Sequence, residues 1–228
     1  MKKLLNGILE FRDKYHTHYI ENFAHLALGQ FPDTLFIACS DSRVVPNLFA
    51  STNPGDLFVV RNVGNMVPPH SVCPNCMGTA EAAAIEFSLN NLPITNIIVC
   101  GHSECGAMQA IVGGLDKLQD SFLKTWLKHG SSWINEQDHC LEINPDLALH
   151  NQAAQINILQ QIEHLKSYPI VAQKIEQGVL QVHGWYFDIG KGDVYGYEQE
   201  FNKFILIDQI EAKRICDRLD CNHHPIAR

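Results

Sequence analysis

Three short runs of unbroken apolar character, Thr34-Leu-Phe-Ile-Ala38, Leu57-Phe-Val-Val60 and Ile97-Ile-Val-Cys100, limit the fold more than any other feature of this chain. A strand with one wet face alternates apolar with polar residues, whereas a continuous apolar run of strand length belongs to a sheet covered on both sides, as parallel sheets are. The intervening stretches agree. Pro32 closes an N-terminal region in which apolar residues recur at Leu5, Ile8, Phe11 and Tyr15, the pattern of one or two amphipathic helices over residues 2 to 28. Residues 79–92 are rich in helix formers and stop at Pro93. Residues 106–166 read as mainly helical, broken at Gly113-Gly114, Gly130 and Pro145, with the longest helix over 146–165. Two β-rich stretches, 180–187 and 194–197, flank Gly190-Lys-Gly192 and predict a hairpin. The expected fold is α/β: a mainly parallel sheet with helices on both faces, an antiparallel edge hairpin near the C-terminus and an N-terminal helical arm. A single domain over 1–228 is expected, divided into the arm (1–30), a core (31–210) and a C-terminal tail (211–228).

The first and third apolar runs each lead into a polar motif, Cys39-Ser40-Asp41-Ser42-Arg43 and Gly101-His102-Ser103-Glu104-Cys105. In an open parallel sheet, ligands bind beyond the carboxyl ends of the strands, where helices on opposite faces diverge. If the two strands are neighbours, Cys39, His102 and Cys105 meet at that edge. Two thiols and one imidazole make a tetrahedral zinc site with one position open, as catalytic zinc sites have. A closed structural site would need a second short Cys or His spacing at the right place. A cysteine-phosphatase reading of Cys39 and Arg43 fails, because only three residues separate them and a phosphate-cradling loop is longer.

Composition removes other classes. Seventeen basic residues against 25 acidic ones give a formal charge of −8, with no basic stripe, so no nucleic-acid partner is expected. No apolar run is long enough to cross a bilayer, and Glu10, Arg12 and Asp13 interrupt any signal-like start. A cytoplasmic protein without a membrane partner is expected. Its eight cysteines therefore point to metal binding or catalysis for some and plain core for others, such as Cys100 and Cys216.

The segments 38–44, 60–65 (Val-Arg-Asn-Val-Gly-Asn), 100–106 and His183-Gly-Trp185 occur in the order found in the β class of carbonic anhydrases. From about residue 2 to 210 the chain resembles that class, its plant and cyanobacterial open-site members most of all. The resemblance implies an enzyme that reversibly hydrates carbon dioxide to bicarbonate and a proton by zinc-bound hydroxide. It assigns Zn2+ to Cys39, His102 and Cys105, and names Asp41 and Arg43 as the catalytic pair. A charge-assisted fork from Arg43 would keep Asp41 off the metal, leaving Asp41 as a fourth ligand only in a closed state. Relatives that close their sites tend to carry Trp, Arg and Tyr where this chain has Phe36, Arg61 and Phe187. Two polar handles are thus missing, and the open form without strong bicarbonate inhibition is expected near neutral pH. Arg61 is expected in a structural ion pair.

The same resemblance implies substrate contacts at Gln30, Phe58, Val63, Phe87 and Gly106, with Phe87 lacking the hydroxyl of the Tyr usual there. Apolar walls suit carbon dioxide. His70 is the candidate proton shuttle, since a surface imidazole titrates near pH 6.5. Cys73-Pro-Asn-Cys76 is read as a surface or interface loop; the alternative is a second zinc site with Cys221 and His223 or His224. The resemblance also implies an arm that embraces a neighbouring subunit in a homo-oligomer, a dimer or dimer of dimers; the alternative is that it caps its own sheet. Two other functions share these residues: a hydrolase of carbonyl sulfide or carbon disulfide, and a non-catalytic bicarbonate-binding scaffold.

Overall fold

The computed structural model describes residues 1–70, 79–135 and 144–222. Helices α1 (Lys2–Glu10) and α2 (His16–Leu26) are joined by a wide helical turn at Phe11–Tyr15. The core follows as β1 (Thr34–Cys39), α3 (Pro46–Phe49), β2 (Leu57–Asn62), α4 (Ala80–Asn91), β3 (Asn96–His102) and α5 (Gly106–Val112). Short helices α6 (Phe122–Leu127) and α7 (Ser132–Asn135) precede the long α8 (Leu149–Lys166) and α9 (Pro169–Glu176). The chain ends with β4 (Gln181–Asp188), β5 (Asp193–Glu198), β6 (Lys203–Leu206) and α10 (Gln209–Asn222).

The six strands form one sheet in the order β2-β1-β3-β4-β5-β6. The first four run parallel; β5 pairs antiparallel to β4, as the turn residues predict, and β6, which the sequence reading did not anticipate, pairs antiparallel to β5 and forms that edge. The apolar runs behave according to their places. All six residues of central β1 are buried, whereas β2, at the other edge, is only half covered. After β1 the chain steps outward to β2 and then returns across β1 to β3. This reversal sets the carboxyl ends of β1 and β3 side by side, where Cys39 and His102 are the last strand residues.

Helix α8 lies across β3 and β4. Its close approach depends on two glycines: a Cβ on Gly101 or Gly184 would come within 2.9 Å or 2.8 Å of Ile158. The helix starts at Leu149, three residues later than the sequence suggests, because Asn144 to Ala148 turn instead, with the Leu147 amide donating to the Asn144 carbonyl. The opposite face of the sheet carries α3 and an aromatic cluster in which Phe36 meets Trp185 at 5.8 Å and Phe49 stacks on Phe187 at 4.6 Å.

The N-terminal helical arm forms as expected, and the departure is at the C-terminal end. Neither α1 nor α2 has a buried residue, and Leu4, Leu5, Ile8 and Leu9 are exposed, so the arm does not cap its own sheet. The division expected at residue 211 falls inside α10, which is capped by Asp208 and is not a loose tail. Arg218 grips buried Glu198 at the end of β5 with two bonds of 2.7 and 3.0 Å, and Arg214 pairs with it too. Burial alone would raise the Glu198 carboxyl, but the two guanidinium groups outweigh it and hold it below its ordinary value. The stabilisation is therefore in place at neutral pH and is lost as pH falls through the depressed value. Glu198→Gln will destabilise the fold by about 2 kcal/mol, less than for a fully buried pair because the arginines reach solvent. Thermal unfolding will then fall by about 4–8 °C at pH 7, and the gap to the parent will narrow in acid.

Candidate metal centre

Cys39 ends β1, His102 ends β3 and Cys105 stands at the N-cap of α5; all three are buried. Their ligand atoms lie within 4.8 Å of one another. A tetrahedral ion with two thiolates and an imidazole separates such atoms by about 3.5–3.8 Å, inside that span. The imidazole is set for the task. Its Nδ1 is 2.7 Å from the Ser103 carbonyl, which can only accept, so Nδ1 carries the proton and Nε2 keeps its lone pair. That Nε2 is buried without a hydrogen-bond partner among the described residues. An orphaned buried acceptor costs about 1–3 kcal/mol, and a cation in front of it removes the cost. The residues present therefore fit zinc.

The thiols tell the same story. A hydrogen bond from Cys105 lowers the Cys39 pKa against the opposing effect of burial, helped by the backbone amides of Gly64 and Asp41. Cys105 is pushed up by the same pairing and by burial, although amides at the start of α5 pull the other way. The pair shares a proton that a bound cation would displace. Cys100, one strand over, is driven up by burial in the sheet and stays a neutral core thiol, as expected, whereas Cys216, expected in the core too, is exposed on α10.

Asp41 and Arg43 form the anticipated fork: Arg43 Nε donates to Oδ1 at 2.9 Å and Nη2 to Oδ2 at 2.7 Å. This fork holds the Asp41 carboxyl well below the usual range, with burial opposing and the Arg43 backbone N–H assisting. Arg43 Nη2 also donates to the Glu104 carbonyl at 3.0 Å, so it ties the first motif to the second. Glu104 adopts a left-handed backbone (φ 56°) and is held by Asn151, whose side chain accepts from its N–H at 2.8 Å and donates to its carboxylate at 3.1 Å. Arg61, expected in an ion pair, instead donates to the carbonyls of Cys39 and Asp41 at 3.0 and 2.7 Å and braces the loop from below.

The other expected residues divide. Phe58 and Phe87 pack ring on ring at 5.8 Å, and Val63 adjoins Gly64, whose N–H points at Cys39 Sγ from 3.4 Å. Phe87 and Val63 are more than two-fifths exposed, Gln30 is exposed, and nothing lies within 4 Å of a Cβ placed on Gly106. These walls stand open in the single chain. His70 is not beside the ligands. Gly64 is tied to Asn157 on α8, whereas the His70 amide donates to Ser167 ten residues on, about 15 Å farther along that helix. The His70 ring packs against Tyr168 there. Cys73, Cys76, His223 and His224 lie outside the described residues, so the second-site reading with Cys221 has no counterpart among them. Phe36 and Phe187 belong to the packed aromatic cluster.

Sequence reasoning missed Glu104, Asn151 and the amides of α8 that grip the loop after β2. Their one signal is an amide-rich stretch, Asn151-Gln-Ala-Ala-Gln-Ile-Asn-Ile-Leu-Gln-Gln161, on a helix that must face the core.

A sequence profile of the family described as carbonic anhydrase matches residues 34–194. A carbonic anhydrase of Synechocystis is 38% identical over 208 residues, spanning 90% of this chain and 74% of the relative. One of Pseudomonas aeruginosa is 35% identical over 207 residues, 91% and 92% of the two chains. Among solved structures, the β-carbonic anhydrase CcaA superposes with a TM-score of 0.81 at 38% identity, covering 90% of this chain and 98% of that one. A structure from work on two tetrameric β-carbonic anhydrases of Sordaria macrospora gives 0.72 at 28% identity, covering 86% and 95%.

Proposed function

This chain belongs to the β class of the carbonic anhydrase family and is an enzyme of that class; from there we propose that it interconverts carbon dioxide and bicarbonate at a zinc ion held by Cys39, His102 and Cys105. The observation that carries this reading is the meeting of two thiols and an unpartnered imidazole nitrogen at the carboxyl edge of the sheet. Zinc bound there supplies Lewis acidity that lowers the pKa of a coordinated water from about 15.7 toward roughly 7, a shift documented for three-histidine carbonic anhydrases.

The protein's own groups do the rest. Arg43 engages both oxygens of Asp41, so the carboxylate faces the ligands as a fixed hydrogen-bond acceptor that orients water and does not swing in as a fourth ligand. Arg61 and Glu104 hold the two motifs that carry this fork. Phe58, Phe87 and Val63 offer carbon dioxide an apolar wall, and Gly106 leaves room in front of Cys105. Phe36 and Phe187 are taken up by ring packing, which supports an open site with weak bicarbonate inhibition. The exposed arm and the open pocket walls favour a homodimer or dimer of dimers, and the free thiols suit a reducing, cytoplasmic setting.

Stopped-flow hydration of carbon dioxide, run beside carbonyl sulfide and carbon disulfide with zinc quantified, tests the reading. Hydration far above the buffer rate with about one zinc per chain is the expected result. Turnover of the sulfur substrates alone would make it a hydrolase instead, and zinc without turnover of any would make it a bicarbonate-binding scaffold.

A further inference from the structure

We propose that Trp126 and Asn157 are positioning residues that aim the Gly64 amide at the metal-binding sulfur of Cys39; the inference rests on the metal reading of Cys39, His102 and Cys105. The Gly64 N–H is 3.4 Å from Cys39 Sγ. It belongs to the peptide unit whose carbonyl is that of Val63, and that carbonyl accepts from Trp126 Nε1 at 2.7 Å. One peptide group thus receives a hydrogen bond at its oxygen and gives one at its nitrogen, an arrangement in which each bond polarises the other. The next carbonyl, of Gly64 itself, accepts from Asn157 Nδ2 at 3.0 Å. The backbone is therefore gripped on both sides of the donating nitrogen.

The grip is specific in its orientation. Gln161 Nε2 donates to Asn157 Oδ1 at 2.9 Å, which turns the Asn157 amide nitrogen toward Gly64, and Gln161 Oε1 is fixed in turn by the Val67 N–H at 2.7 Å. Asn157 and Gln161 are both fully buried. Gly64 itself has φ +80°, and a Cβ there would sit 3.0 Å from Ala107 Cβ and Met66 Cε, so this approach to the sulfur is open only to glycine. A hydrogen bond to a thiolate withdraws charge from it and stabilises its lone pairs. Loss of the clamp leaves a sulfur that is a less well-placed ligand and an easier electron donor.

The test loads the full chain with Co2+ as a spectroscopic probe and, separately, measures Zn2+ affinity by chelator competition. Trp126→Phe keeps most of the ring and removes the donor; Asn157→Leu keeps the volume and removes the amide. Gln160→Leu is the control, since that buried amide on the same helix donates to His129 O and Ser132 Oγ. Trp126→Phe and Asn157→Leu should move the sulfur-to-cobalt charge-transfer band to longer wavelength and lower zinc affinity about tenfold. Gln160→Leu should lower the unfolding temperature and leave band and affinity in place. If Asn157→Leu does not fold, Trp126→Phe decides alone. Parent-like band and affinity in the folded variants would overturn the clamp with the metal site intact. A parent protein that binds neither ion would overturn the metal reading and the clamp with it.

Discussion

At the zinc site proposed above, Cys39→Ser is expected to lose the metal and at least about 1000-fold of the carbon dioxide hydration rate. A serine hydroxyl does not ionise near neutral pH, so the substitution leaves His102 and Cys105 as a two-ligand site with an uncharged oxygen where a thiolate stood. The loss will not be repaired from nearby: Cys100 is the next described thiol, and burial in the sheet keeps it protonated. The fold should survive, because Cys39 is the last residue of β1 and the strand's hydrogen bonds to β2 and β3 do not involve its side chain. Stopped-flow rates together with zinc content by atomic spectrometry measure the effect. Full zinc occupancy, or turnover within tenfold of the parent, would remove Cys39 from the ligand set.

Arg43→Ala will act on a different quantity, lowering turnover by about 100-fold while zinc remains bound. The arginine is a partner to Asp41 at both carboxylate oxygens and a strut to the Glu104 carbonyl. Without it, the Asp41 carboxylate, two residues from a ligand, loses the fork that holds both of its oxygens and is free to turn to the metal as a fourth ligand. Loss of a preorganised polar group at a reacting centre costs about 2.7–4 kcal/mol in comparable cases, which sets the scale. The signature is a metal-replete, slow enzyme whose Co2+ spectrum shows an oxygen ligand from the protein. Arg43→Lys will recover little, since an ammonium cannot span both oxygens. A fast Arg43→Ala variant would show that something else restrains Asp41.

The parts of this molecule that could be read from sequence are those where local chemistry and burial agree. The unbroken apolar runs at 34–38 and 97–100 lie in strands covered on both faces, and the motifs after them converge because the chain reverses direction in the sheet between β1 and β3. The Asp41–Arg43 fork was legible because its partners are two residues apart. Arg61 was not, because it acts through backbone carbonyls, and a carbonyl has no residue name to recognise. His70 follows closely on the Val63–Met66 loop in sequence yet is carried off along α8, a displacement set by hydrogen bonds to Gln161, His164 and Ser167 that lie about a hundred residues on. The C-terminal helix was missed because its attachment is ionic: Glu198, Arg214 and Arg218 replace the apolar stripe that periodicity detects.

The arm with no buried residue carries a thermodynamic consequence. A helix gains little from propensity alone in water, and most helical stability comes from packing an apolar face against something else. Leu4, Leu5, Ile8, Leu9 and Phe11 pack into no core of this chain. In the oligomer proposed above, a neighbouring subunit would lend order to those residues, so that coil-to-helix transition and association would become one event governed by mass action. Dilution of such an oligomer would melt the first turns of this protein while its central strands stay folded, and concentration would then set how much of the chain is structured.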